Sequence, residues 1–271
     1  MGVVLLLTLT SGLCLLVARR PSAASPQIWD IPGTSRTYTT IVGTLAGFSV
    51  TSSIFIANLT AARQSAAFES VMALFLIAFL VFISSAIQFA TTPNLASAPS
   101  EAYVTVQGYS YVLANAAFYT GLSLSWLGLP LLLSAVGLAY MADVFTWLVL
   151  FAILGGASRI SSGINIFAAV ELARSVLMPA ICFGAATIYR LLLAEQVDSF
   201  LPGEHEPALL AVVSFAIAAF GFSLQSVLMN TLRLESTSVR AAAAGRLIVV
   251  PYVAAVFTSA SLLWYSIADA V

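Results

Sequence analysis

Apolar residues run along this chain in blocks close to the twenty or so that a helix needs to cross a bilayer's hydrocarbon core. Short stretches holding Arg, Pro, Ser and Glu part them. The pattern predicts an all-α polytopic transmembrane helix bundle of about eight spans, at approximately 3–18, 40–60, 70–91, 108–126, 131–157, 164–193, 208–230 and 247–268. The connections are short, so residues 1–271 read as a single membrane-embedded domain.

Two stretches admit two registers each. Residues 108–157 are almost continuously apolar and, at 1.5 Å per residue, too long for one crossing. A turn at "WLGLP" uses Gly128 as breaker and Pro130 as the first residue of the next helix, with Asp143 near mid-membrane. A turn at "YMAD" makes Asp143 a surface N-cap instead. The first is adopted. Further on, a helix from Ile164 buries Glu171 and Arg174, whereas an interfacial segment over 164–174 leaves "SVLMPAICFGAATIYRLLL" as the crossing and lets Arg174 snorkel. At the N-terminus, Arg19 and Arg20 follow the apolar run rather than precede it, so "MGVVLLLTLTSGLCLLVARR" reads as a retained helix rather than a signal peptide.

Charge suggests an orientation. With both termini on the outer side, Arg19, Arg20, Arg36, Arg159, Arg233, Arg240 and Arg246 fall in cytoplasmic connections, and Arg63 and Arg190 fall opposite, as the positive-inside rule requires. The acidic loop "EQVDSFLPGEHEP" then lies outside. Trp29, Trp264 and Tyr265 sit near span ends, where interfacial aromatics gather.

Composition narrows the chemistry. Hydrophobic side chains make up 61% of the chain and charged ones 8%, with a mean hydropathy of +1.02. A soluble domain carries about a quarter charged residues, so this is an integral membrane protein. The net charge of −1 gives no bulk attraction to nucleic acid. All ten basic residues are arginine, which removes a lysine Schiff base and a P-loop lysine. His205 is the one histidine, so bis-histidine haem and HExxH zinc sites are out of reach. "GEHEP" places its potential ligands two apart, where they converge poorly, and "GGASRISSG" lacks a base for a serine nucleophile. Cys14 and Cys182, both in apolar runs, read as packing thiols. No cofactor, metal or catalytic residue is expected, and the composition suits a bacterial cytoplasmic (inner) membrane.

Candidate residues remain. Ionisable groups inside a membrane suggest a pathway by default, which singles out Asp143, Glu171 and Arg174. Ser84 and Gln88 are one helical turn apart, and Ser214, Ala218, Gly221 and Gln225 form one stripe. Gly43 and Gly47 make a GxxxG pair that Thr51 and Asn58 extend, a face expected to pack on a neighbouring helix. The leading expectation is passage of a small solute or ion along a path lined by Asp143, Glu171, Arg174, Ser84, Gln88 and Gln225. The alternative is a non-catalytic subunit or scaffold that binds partner helices, in a membrane-protein partner or a homo-oligomer. Transport requires the polar groups to converge inside the bundle. A scaffold shows its small-residue stripes on the outside.

Overall fold

A computed structural model describes residues 2–17, 30–63, 66–92, 101–166, 172–197, 206–233 and 238–271. The described residues hold eight helices and no strand: α1 (Gly2–Val17), α2 (Ile31–Arg63), α3 (Ala66–Thr91), α4 (Glu101–Ala135), α5 (Ala139–Ile166), α6 (Leu172–Val197), α7 (Glu206–Arg233) and α8 (Ser238–Ala268). Six of them are long and apolar enough to cross a membrane. In α1 and α6 the apolar stretches are shorter, Leu5–Val17 and Val176–Leu192. Large apolar side chains stand on the outside of the bundle, among them Phe48, Phe55, Phe151 and Phe220, each more than half exposed. A bilayer, not water, is the solvent that suits such a surface. The fold is a helical membrane bundle.

Local chemistry sets the helix limits. Asp30 caps α2, its Oδ1 accepting from the Gly33 amide at 3.0 Å. Pro32 fits the first turn, where its missing N–H costs nothing. The break between α4 and α5 lies at neither "WLGLP" nor "YMAD" but at Gly137, which takes φ of 85°. There the Leu138 amide reaches Leu133 O and the Gly137 amide reaches Ser134 O, both at 2.9 Å, the paired bonds of a Schellman cap. Pro130 therefore lies inside α4, and Asp143 sits in the second turn of α5. The expected boundary at 126–131 is corrected accordingly. Likewise, α5 runs on to Ile166 and α6 begins at Leu172, so no helix of the sixth span begins at Ile164.

Contacts order the helix ends. Tyr38 near the start of α2 meets Phe89 near the end of α3 and Tyr111 in α4. Gly245 near the start of α8 lies against the Tyr109 ring. At the opposite end, Trp264 of α8 donates to Thr146 O of α5 at 2.9 Å, and Leu6 of α1 clusters with Ala186 and Leu262. The helices thus alternate in direction, and the start of α1 shares one end of the bundle with the finish of α8. That end carries Glu69, Asp143, Glu195, Glu206 and Asp269 beside Arg63 and Arg190. The other carries Arg36, Arg159, Arg174, Arg233, Arg240 and Arg246 beside Asp30 and Glu101. We refer to them as the acidic end and the arginine end.

Helices α4 and α8 form the centre. Of their spanning windows 61% and 78% is buried, against 28% for α2 and α7. Trp264, at 4% exposure, is a core residue rather than an interfacial anchor, and it stacks edgewise on Trp147 and Tyr265. Trp29 lies outside the described residues.

Candidate functional site

Gln88 and Gln225, chosen separately from sequence, come together. Gln88 lies in the last turn of α3, whose final carbonyls have no partner further along the helix. Gln225 approaches from α7 and donates through Nε2 to Gln88 O at 3.2 Å and to Ser110 Oγ of α4. Thr92 Oγ1 stands 3.5 Å from the same nitrogen and 3.2 Å from Ser110 Oγ, and donates to Gln88 O at 2.8 Å. Thr91 donates to Gln88 O at 3.0 Å and lies 3.5 Å from Gln225 Oε1. Three helices are thus joined near the arginine end by one neutral polar cluster. Every oxygen and nitrogen in it is buried or partly buried.

The cluster leaves one group over. Among the described residues, both side-chain polar atoms of Gln88 are buried without a hydrogen-bond partner, and so is Gln107 Nε2, one helical turn before Ser110 on α4. A buried amide without partners costs about 1–3 kcal/mol, so Gln88 marks a place where the described residues do not complete the hydrogen bonding. Beyond this level the interior closes: Phe82, Leu113, Leu124 and Phe257 are each at most 2% exposed.

The other candidates scatter. Ser84 is half-buried on α3, while its neighbour Ser85 is the residue that bonds across, to Ala114 O at 3.0 Å. Asp143 is exposed near the acidic end, five residues into α5 rather than in the middle of a helix, and makes no hydrogen bond or ion pair among the described residues. Glu171 lies outside the described residues, as does the side chain of Arg174. His205 is outside them too, and no group of three potential metal ligands occurs among those described.

The stripe of Ser214, Ala218, Gly221 and Gln225 faces inward: all four are buried, with Gly221 against the Tyr252 ring. The face of Gly43, Gly47, Thr51 and Asn58 does the reverse. All four residues are exposed, and a side chain added at either glycine would meet nothing within 4 Å. No helix among the described residues of this chain therefore covers the face expected to pack on a neighbouring helix. The inward stripe of α2 is Val42, Ala46, Ser49, Ser53 and Ile56, about a third of a turn away, with Ser49 Oγ at 3.4 Å from Ser125 Oγ.

Three features went unread in the sequence. Arg190 at the end of α6 bonds Glu206 at 2.9 Å and Asp269 at 2.6 Å, tying α6, α7 and the end of α8 together at the acidic end. Arg246, placed by sequence in a connection, lies within α8, with its guanidinium near the Tyr109 phenol. Gln107 and Ser110, three apart at the head of α4, were a readable polar pair but fell at the edge of the expected span. Comparison with protein families, curated proteins and solved structures finds no match to this chain.

Proposed function

We propose that the chain is a non-catalytic, membrane-embedded subunit that assembles through the outer face of α2, with a second copy of itself as the partner. The observation that carries this reading is the outward stripe of Gly43, Gly47, Thr51 and Asn58 on a helix that, among the described elements, touches only α3 and α4. Small residues let two backbones approach closely in lipid, where packing rather than apolar burial drives association. A two-fold contact sets the same stripe against itself. Between Arg36 and Arg63 α2 carries no charge, so two copies meet without repulsion along the span. The Thr51 hydroxyl, which donates to Gly47 O at 2.9 Å, keeps its lone pairs for a donor across the contact. The arginine end faces the cytoplasm in this reading, as the positive-inside rule favours, and a bacterial inner membrane is the proposed location.

Mass measurement in mild detergent and energy transfer between labelled copies in vesicles test it. Wild type is expected as a dimer, and Gly47→Leu as a folded monomer, since the new side chain points into open space. A wild-type monomer at every protein-to-lipid ratio refutes self-association.

One observation favours a second reading, passage of a small solute or ion: the Gln88 amide near the arginine end, which has no partner among the described residues. Flux through vesicles that Gln88→Leu abolishes and Gly47→Leu leaves unchanged would favour it over the subunit reading.

A further inference from the structure

The chain has two cysteines, Cys14 and Cys182, separated by 168 positions. The fold sets their sulfurs 3.9 Å apart, between α1 and α6 in the apolar interior. Both are buried, at 1% and 0% exposure. We propose that they form a two-electron redox site whose oxidant is a lipid-soluble quinone, and whose oxidised form is a disulfide fastening α1 to α6.

Geometry and charge support this together. Disulfide sulfurs stand about 2.05 Å apart, so this pair has about 1.9 Å to close, a displacement of the size a thiol makes when it changes rotamer. A soft metal ion held by two thiolates is the competing use of such a pair. With a monovalent ion it would leave net negative charge in hydrocarbon, which is costly without a counter-ion; a divalent ion takes further ligands, and no group of three potential ligands occurs among the described residues. The disulfide is neutral. Its neighbours are polar only through satisfied groups: Cys182 Sγ donates to Ala254 O at 3.6 Å, and the Thr258 hydroxyl donates to the same carbonyl at 2.8 Å.

Burial selects the oxidant class. Cys14 lies on the inner side of α1, whose outer side shows Leu9, Leu13 and Leu16 to lipid. One helix width therefore separates the site from the hydrocarbon, the approach open to a lipid-soluble oxidant. In the reaction two S–H bonds break and one S–S bond forms, and the two electrons and two protons convert the quinone to its quinol.

The test uses the full chain in lipid nanodiscs with tetramethylbenzoquinone, whose ring positions are blocked against thiol addition. Copper-phenanthroline serves as a general oxidant. Maleimide-reactive thiols, counted after denaturation, are expected to fall from two to none with either oxidant, with an intact mass lower by two hydrogens and full recovery on adding dithiothreitol. Cys14→Ser is expected to keep its one thiol. Two thiols after both treatments overturn the proposal, and so does a disulfide that links separate chains. Closure by the copper reagent alone refutes the quinone as acceptor.

Discussion

Adding one methyl group at Gly221 and at Gly47 tests which way two helices face. At Gly221 the new Cβ would stand 2.6 Å from Tyr252 Cζ, where an ordinary carbon contact is about 3.5–4.0 Å. The ring must withdraw by about an ångström. Tyr252 has little room to do so: it is 4% exposed, and its hydroxyl lies 3.4 Å from Ala218 O. Forcing extra volume into a packed site costs about 1–3 kcal/mol. At Gly47 nothing lies within 4 Å, so Gly47→Ala brings only the gain in helix propensity, at most about 1 kcal/mol. That gain is common to both sites and cancels in the comparison. Gly221→Ala is therefore expected to be less stable than Gly47→Ala by about 1–3 kcal/mol, the packing penalty itself. Unfolding in mixed micelles of increasing dodecyl sulfate content reads the difference, at dilutions where copies do not meet. Equal stabilities, or a greater loss at Gly47, refute the assigned facing of α2 and α7.

Three further outcomes are expected. Gln225→Leu should lower stability by about 1–2 kcal/mol, and its double-mutant cycle with Ser110→Ala should show a coupling of about 0.6 kcal/mol, typical of interhelical hydrogen bonds in membranes; zero coupling in the same micelle assay denies the bond. Arg190→Gln should cost about 1 kcal/mol, because Asp269 is largely exposed and the pairs are screened, and the loss should shrink in high salt; a salt-independent loss points to packing instead. Topology reporters fused after Val271 and within residues 196–206 should report the same side of the membrane, and one between Arg233 and Arg246 the other; reporters at 196–206 and 234–245 on one side would break the alternation of α6, α7 and α8.

The helices were legible where a long apolar run meets lipid, because nothing but a helix satisfies its own backbone there. Helix ends inside such runs were not. Gly128 and Pro130 looked like a break, yet membrane helices tolerate proline where neighbouring helices surround it; Leu127 and Leu131 beside it are both buried. The true signal, Gly137, stood seven residues past Pro130 and was read as part of the run. Side-chain facing was the harder problem. Both stripes of α2 are rich in small residues, so spacing alone could not say whether Gly47 or Ala46 looks inward. Gln88 and Gln225 stand out because a carboxamide in hydrocarbon demands a partner; Gln225 finds it on the backbone of the Gln88 helix, whereas the Gln88 carboxamide meets none among the described residues. Asp143 failed the same logic because its depth depended on the misplaced break.

The place of α1 has a consequence for how the chain is made. Among the described helices α1 packs only against α6 and α8, and its Thr10 hydroxyl lies 3.3 Å from that of Thr258. Translation at about 5–20 residues per second separates the two partners by roughly a quarter to most of a minute. Throughout that interval Thr10 and Ser11 of α1 lack the α8 groups they meet in the finished fold, whereas Cys14 gains its α6 neighbour earlier. A ribosome stalled before α8 therefore leaves this helix without its main docking surface, the kind of unfinished intermediate that membrane quality-control proteases recognise.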